Sequence, residues 1–172
     1  VKIVATGLCH TDLNTQAGDM PLPLPGVLGH EGAGIVTKIG AGVENVAVDE
    51  SVPLELAGPL ACGITTGAGA VLNTANPAPG ESVVVYGVGA VGLGAIMAAH
   101  NSAAATIIAV DLHDSRLELA QRYGATHVIN SGKEDSLERI REITGGAADH
   151  AIECTGVIAV LEEAIEAVLI LE

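Results

Sequence analysis

The chain has 172 residues, 49% of them hydrophobic, with 22 glycines, no Phe, no Trp and only two tyrosines, Tyr86 and Tyr123. That apolar content excludes a disordered chain, and the length suits one substantial domain plus part of another, with a core of Ala, Val, Ile and Leu. A formal net charge of −14 argues against nucleic acid or an anionic membrane surface as a partner, so any anionic cofactor has to be held by local backbone N–H groups.

Residues 1–5 read as a strand, and Thr6-Gly7-Leu8-Cys9-His10-Thr11-Asp12 as a loop opening a short helix that Thr11 or Asp12 can cap. Pro21, Pro23 and Pro25 force an extended segment. Gly29-His30-Glu31-Gly32-Ala33-Gly34 leads into an expected strand over 35–39, and Gly40-Ala41-Gly42-Val43 is a turn. Residues 54–75 are rich in Ala, Leu and Gly and read mostly as helix, closed by Asn76-Pro77-Ala78-Pro79-Gly80.

From there the alternation is regular. Strands are expected over 83–86, 106–110, 126–130 and 148–153, and helices over 91–102, 114–123, 135–144 and 157–168. Strands without polar alternation, separated by helices, imply a parallel sheet covered on both faces. The fold class is therefore α/β, a Rossmann-type parallel sheet, and an incomplete one, because a full dinucleotide-binding sheet has about six strands.

The first of these strands runs into Gly87-Val88-Gly89-Ala90-Val91-Gly92, with Gly87, Gly89 and Gly92 at G-x-G-x-x-G spacing. A buried strand, a glycine turn and a helix start together make a seat for a pyrophosphate. Asp111 lies 24 residues after Gly87, at the end of the second strand. An acidic residue there suits the ribose hydroxyls of an adenosine.

Three cysteines, Cys9, Cys62 and Cys154, are an odd number without tight spacing and make no disulfide framework, which fits a reducing cytoplasm. No apolar run is expected to reach membrane-spanning length, no signal peptide leads the chain, and both ends, Val1 and Leu171-Glu172, read as cut. Cys9, His30 and Cys62 have the residue types of a zinc site, two thiolates and one imidazole. Their spacing alone, 21 and 32 residues, is unlike a zinc finger, and on these three residues alone the reading as buried cysteines and a loop histidine prevails. Cys154 is read as core, the histidines at 100, 113, 127 and 150 as surface or strand-end residues, and Glu134-Asp135 and Glu162-Glu163 as solvated helix faces.

The surroundings of the three residues carry more. Gly7-x-Cys9-His10-Thr11-Asp12 and Gly29-His30-Glu31-x-x-Gly34-x5-Gly40-x-x-Val43 resemble the two signatures of zinc-dependent medium-chain alcohol dehydrogenases. Gly58-Pro59-Leu60-Ala61-Cys62-Gly63-Ile64-x-Thr66-Gly67 is similar to the segment of the third ligand. The likeness continues through the glycine motif, Ile108-Ala109-Val110-Asp111, Tyr123-Gly124-Ala125-Thr126-His127-Val128-Ile129-Asn130 and Glu153-Cys154-Thr155-Gly156. It covers nearly the whole chain and is strongest to the bacterial aryl (benzyl) alcohol dehydrogenases.

The resemblance implies a catalytic zinc on Cys9, His30 and Cys62, the ligand set established for alcohol dehydrogenase. It makes Glu31 an alternative ligand and has Asp12 hold the far nitrogen of His30. Thr11 takes the alcohol proton, and His10 touches the pyrophosphate. Thr66 and Val91 pack on the nicotinamide. Asp111 binds the ribose and favours NAD, with Arg116 nearby. Some relatives carry a His where Asn14 stands, so solvent or a cofactor hydroxyl is the expected final proton acceptor. The expected reaction is NAD-linked interconversion of a primary or aryl alcohol and its aldehyde. The alternatives are an NAD-binding module with little turnover and a scaffold with neither ligand.

Members of this family are much longer. Here Val46-Ala47-Val48 runs directly into Asp49-Glu50-Ser51, where relatives carry a lobe with a structural zinc. A deleted or minimised chain is expected, without that zinc and without the dimer edge, hence monomeric or self-associating in a non-native way. Its expected parts are a remnant of the β-rich, GroES-like catalytic domain over 1–54 and a shortened dinucleotide-binding domain over 55–172. Its expected partners are a small-molecule alcohol or aldehyde, and neither nucleic acid nor membrane.

Overall fold

The computed structural model describes residues 1–23, 25–44 and 51–169. The junction read at Val46–Glu50 and the terminal Leu171-Glu172 lie outside the described residues. The chain divides into two units, Val1–Gly63 and Ile64–Glu172.

In the first unit β1 (Lys2–Gly7) pairs antiparallel with β2 (Glu31–Ile35), Gly7 opposite Glu31 and Lys2 opposite Ile35. The second strand therefore lies earlier than the expected 35–39. Its glycines are poor strand formers, and pairing with β1 overrides that preference. Helix α1 (His10–Ala17) is capped by Cys9, in extended conformation, rather than by Thr11 or Asp12. Asp12 acts from inside the first turn, where its carboxylate accepts the Cys9 N–H at 3.0 Å. Helix α2 (Leu54–Pro59) ends on a proline that supplies no N–H, and the chain continues as a π-helical turn over Leu60–Ile64. Cys62 sits on that turn.

The second unit opens with α3 (Thr65–Gly69) and a second π-helical turn, Ala70–Ala75, closed by Asn76 in the left-handed region. The helical stretch Leu54–Ala75 corrects one expectation. At 22 residues, with a mean hydropathy of 1.2 over an 18-residue window, it has the length and composition of a membrane crossing. Ala, Leu and Ile raise its hydropathy, and Glu55 is its one charged residue. Its α3 segment packs tightly on α4 (Ala90–Asn101): a Cβ added at Gly67 would lie 1.8 Å from the Val91 carbonyl oxygen.

Four parallel strands follow: β3 (Ser82–Tyr86), β4 (Thr106–Asp111), β5 (His127–Asn130) and β6 (His150–Glu153), ordered β5-β4-β3-β6. They are linked by α4, α5 (Asp114–Arg122) and α6 (Ser136–Thr144), and α7 (Ile158–Val168) comes after β6. This is the order of the first strands in a dinucleotide-binding sheet. Strand alternation splits the core into two layers. Val83, Val85, Ile107 and Ala109 pack with Ile96 and Leu117 on one face. Val84, Tyr86, Ile108 and Val110 pack with Ile129 and Ile140 on the other.

Candidate metal centre and coenzyme cleft

In the first unit, β1 delivers the chain to Cys9, His30 stands just before β2 and Glu31 opens it, and the π-helical turn presents Cys62. One ligand atom from each of Cys9, His30, Glu31 and Cys62 lies within 4.8 Å of the others. The two sulfurs are 3.8 Å apart. Two thiols, an imidazole and a carboxylate fit a zinc ion in donor type and number. Asp12, 5% exposed, serves both ends of the cluster. One carboxylate oxygen accepts the Cys9 N–H, and the other lies 3.5 Å from His30 Nδ1, which leaves Nε2 for a ligand.

The cluster polarises itself. Hydrogen bonds with Thr11, whose Oγ1 is 3.6 Å from Cys9 Sγ, draw the Cys9 thiol below its ordinary value. Cys62 is pushed up to about 11, by Cys9 first, then by burial and Glu31. Burial lowers the His30 pKa, but Cys9 and Asp12 outweigh it and the net shift is upward.

In the second unit the glycine turn follows β3. Gly87 has φ +84, in the left-handed region, and a Cβ at Gly92 would meet the Gly87 carbonyl oxygen at 2.0 Å. Gly89 caps α4 and faces open space, so a phosphate can approach the free N–H groups of the helix start. Asp111 is buried across this turn. Its Oδ2 accepts the Val88 N–H at 2.8 Å, its Oδ1 accepts the His113 N–H at 2.9 Å, and Arg116 lies 3.5 Å away. Burial alone would raise its pKa, but those two N–H groups and Arg116 hold it below the ordinary carboxylate value. A cleft of about 450 Å³ opens here, at the C-terminal ends of the strands, with Gly87, Gly89, Asp111 and Arg116 on its wall.

The residues singled out in the sequence thus fall into two groups, one in each unit. Thr66 and Val91 are not on the cleft wall, and they ride on the packed pair α3 and α4. His10 and Thr11 are exposed on the first turn of α1. One sequence reading changes, that of Glu163, while those of Asp135 and Cys154 gain detail. Glu163 is half-buried, accepts a hydrogen bond from the Ser136 hydroxyl and lines the cleft, and Asp135 caps α6 by accepting the Glu138 N–H at 2.9 Å. Cys154 packs against the core and also lines the cleft, where burial pushes its thiol up to about 11. His150, at the start of β6, pairs with Glu81 at 2.8 Å. Tyr86 and Ser136, both on the cleft wall, escaped the sequence reading. The one available signal was a tyrosine in an otherwise aliphatic strand, directly before the first glycine.

The family described as alcohol dehydrogenase GroES-like domain matches residues 1–111, and that described as zinc-binding dehydrogenase matches residues 90–169. The chain belongs to the zinc-type alcohol dehydrogenase family. Among its relatives, the S-(hydroxymethyl)glutathione dehydrogenase of Synechocystis sp. is 34% identical over 96% of the chain and 66% of its own length. A probable alcohol dehydrogenase of Pseudomonas sp. is 32% identical over 92% of the chain and 75% of its own length. Two solved structures superpose with a TM-score of 0.90 over 98% of the chain and 66% of their own. They are the alcohol dehydrogenase zinc-binding domain protein from Burkholderia ambifaria, 38% identical, and the benzyl alcohol dehydrogenase from Acinetobacter calcoaceticus, 36% identical. The chain spans about two thirds of the length of such relatives. The first alignment runs over 244 positions, more than the 172 residues present, so that relative carries internal sequence with no counterpart here.

Proposed function

We propose that this chain interconverts a primary or aryl alcohol and its aldehyde with NAD as hydride partner. The observation that carries the reading is the convergence of Cys9, His30, Glu31 and Cys62 within 4.8 Å. Cys9, His30 and Cys62 would hold the zinc, with Glu31 as the alternative ligand. Zinc at such a site supplies Lewis acidity that lowers the pKa of an alcohol, and NAD supplies the hydride acceptor.

The remaining work falls to the chain. Asp12 fixes the tautomer of His30 and the position of Cys9 together. Thr11, beside Cys9, takes the alcohol proton and passes it outward. Asn14 cannot act as a base, so the proton leaves to solvent or a cofactor hydroxyl. Gly87, Gly89 and Gly92 seat the pyrophosphate, Asp111 holds the adenosine ribose with Arg116 beside it, and Thr66 and Val91 pack on the nicotinamide. Asp111 at the ribose favours NAD over a 2′-phosphorylated coenzyme, because a carboxylate repels phosphate.

A second reading has its own support. The internal sequence missing relative to the Synechocystis protein points to a chain that binds NAD with little turnover. Zinc content measured together with NADH formation from benzyl alcohol separates the two. The enzyme reading expects about one zinc per chain, turnover, and loss of both in Cys62→Ala. NADH binding without turnover in zinc-loaded protein, unchanged by that substitution, sinks it.

A further inference from the structure

The coenzyme cleft has a polar floor that the dinucleotide signature does not account for. Tyr86, the last residue of β3, is 2% exposed and lines the cleft, and its hydroxyl has no hydrogen-bond partner. A buried polar group left unpaired is costly, so a native site of this kind commonly awaits a ligand. Glu163 on α7 lines the same cleft and, after burial, helps to hold the phenol above its ordinary value. Its orientation is set by the Ser136 hydroxyl, at the start of α6, which donates to Oε1. The floor therefore offers one strong acceptor beside one hydroxyl donor.

Charge narrows what fits. Asp111 and Glu163 put two carboxylates on one cleft wall, which disfavours a phosphate at this end and favours an uncharged group with an N–H to give. A volume of about 450 Å³ lies within the range of small-ligand sites, ~300–1,000 Å³. The base attached to a ribose held at Asp111 enters here. Adenine presents an exocyclic amine, a donor, next to ring nitrogens that only accept. Hypoxanthine, with an oxygen in place of the amine, would set an acceptor against the carboxylate.

We propose that Tyr86 and Glu163 read the amino edge of adenine and make this cleft selective for adenine over 6-oxopurine dinucleotides, with Ser136 as a positioning residue for Glu163. The proposal rests on the coenzyme reading above. In it the amine donates to the Glu163 carboxylate, and the Tyr86 hydroxyl donates to a ring nitrogen. Neither group takes part in hydride transfer.

The test is calorimetric titration of the whole chain with NADH and with reduced nicotinamide hypoxanthine dinucleotide. The wild-type chain is expected to bind NADH at least tenfold more tightly. Tyr86→Phe keeps the ring packed and removes only the hydroxyl, and Glu163→Gln keeps the shape and removes the charge. Both variants should still bind NADH, with the ratio between the two ligands falling towards one. Equal affinities in the wild-type chain, or an unchanged ratio in both variants, overturn the proposal while leaving the coenzyme reading intact. Failure of the wild-type chain to bind either dinucleotide removes both.

Discussion

Asp12 and Asp111 are the two side chains on which the respective sites depend most directly. Asp12 is bound to the backbone of one candidate metal ligand and faces the ring of another. Asp12→Ala is therefore expected to weaken zinc binding roughly 10–100-fold while leaving all four candidate ligands in place, as read by competition with a chromophoric chelator. Asp111 has a pKa below its ordinary value of 3.8 in the folded chain. A depressed carboxyl stabilises the fold above its unfolded pKa, and that contribution is lost as pH falls through the folded one. The urea midpoint should therefore drop between about pH 5 and about pH 3, and by less in Asp111→Asn. These two residues were legible for different reasons. Asp111 follows from strand ends and glycine spacing, whereas Asp12 came only with the family resemblance. Tyr86 and Glu163 were not legible, because what singles them out is burial, and Glu163 lies next to Glu162 in what reads as a solvated pair.

At the level of elements, the parallel strands and their helices were legible nearly to the residue, since apolar runs and glycine stops agree with the final packing. The departures come where the partner decides. β2 is glycine-rich, and only its pairing with β1 makes it a strand. The π-helical turn that carries Cys62 follows Pro59, yet the proline alone signals a helix stop and not a widened turn. The contact between α3 and α4 is backbone to backbone, with Gly67 against the Val91 carbonyl. Gly67→Ala is expected to force the helices apart at a cost of about 1–3 kcal/mol, seen as a lower thermal midpoint. A midpoint equal to or above wild type would mean that the contact yields without strain.

For the molecule as a whole, charge and edges set opposing tendencies. The net charge of −14 keeps copies apart at low salt. Within the second unit, β6 closes the four-stranded sheet on one side, and Ile158, Leu161 and Ile165 of α7 are exposed. Open strand edges and apolar faces invite pairing between chains. Sedimentation velocity should show association increasing with protein concentration and with added salt, as screening removes the repulsion. A monomer at every salt concentration would count against that edge as an association surface. The aliphatic composition has one more effect. Without tryptophan or phenylalanine, the near-ultraviolet absorbance of the protein rests chiefly on two phenols, Tyr123 at the surface and Tyr86 buried on the wall of the cleft. The chain carries a built-in optical reporter, in which a difference spectrum of Tyr86 records what enters the cleft without any label being added.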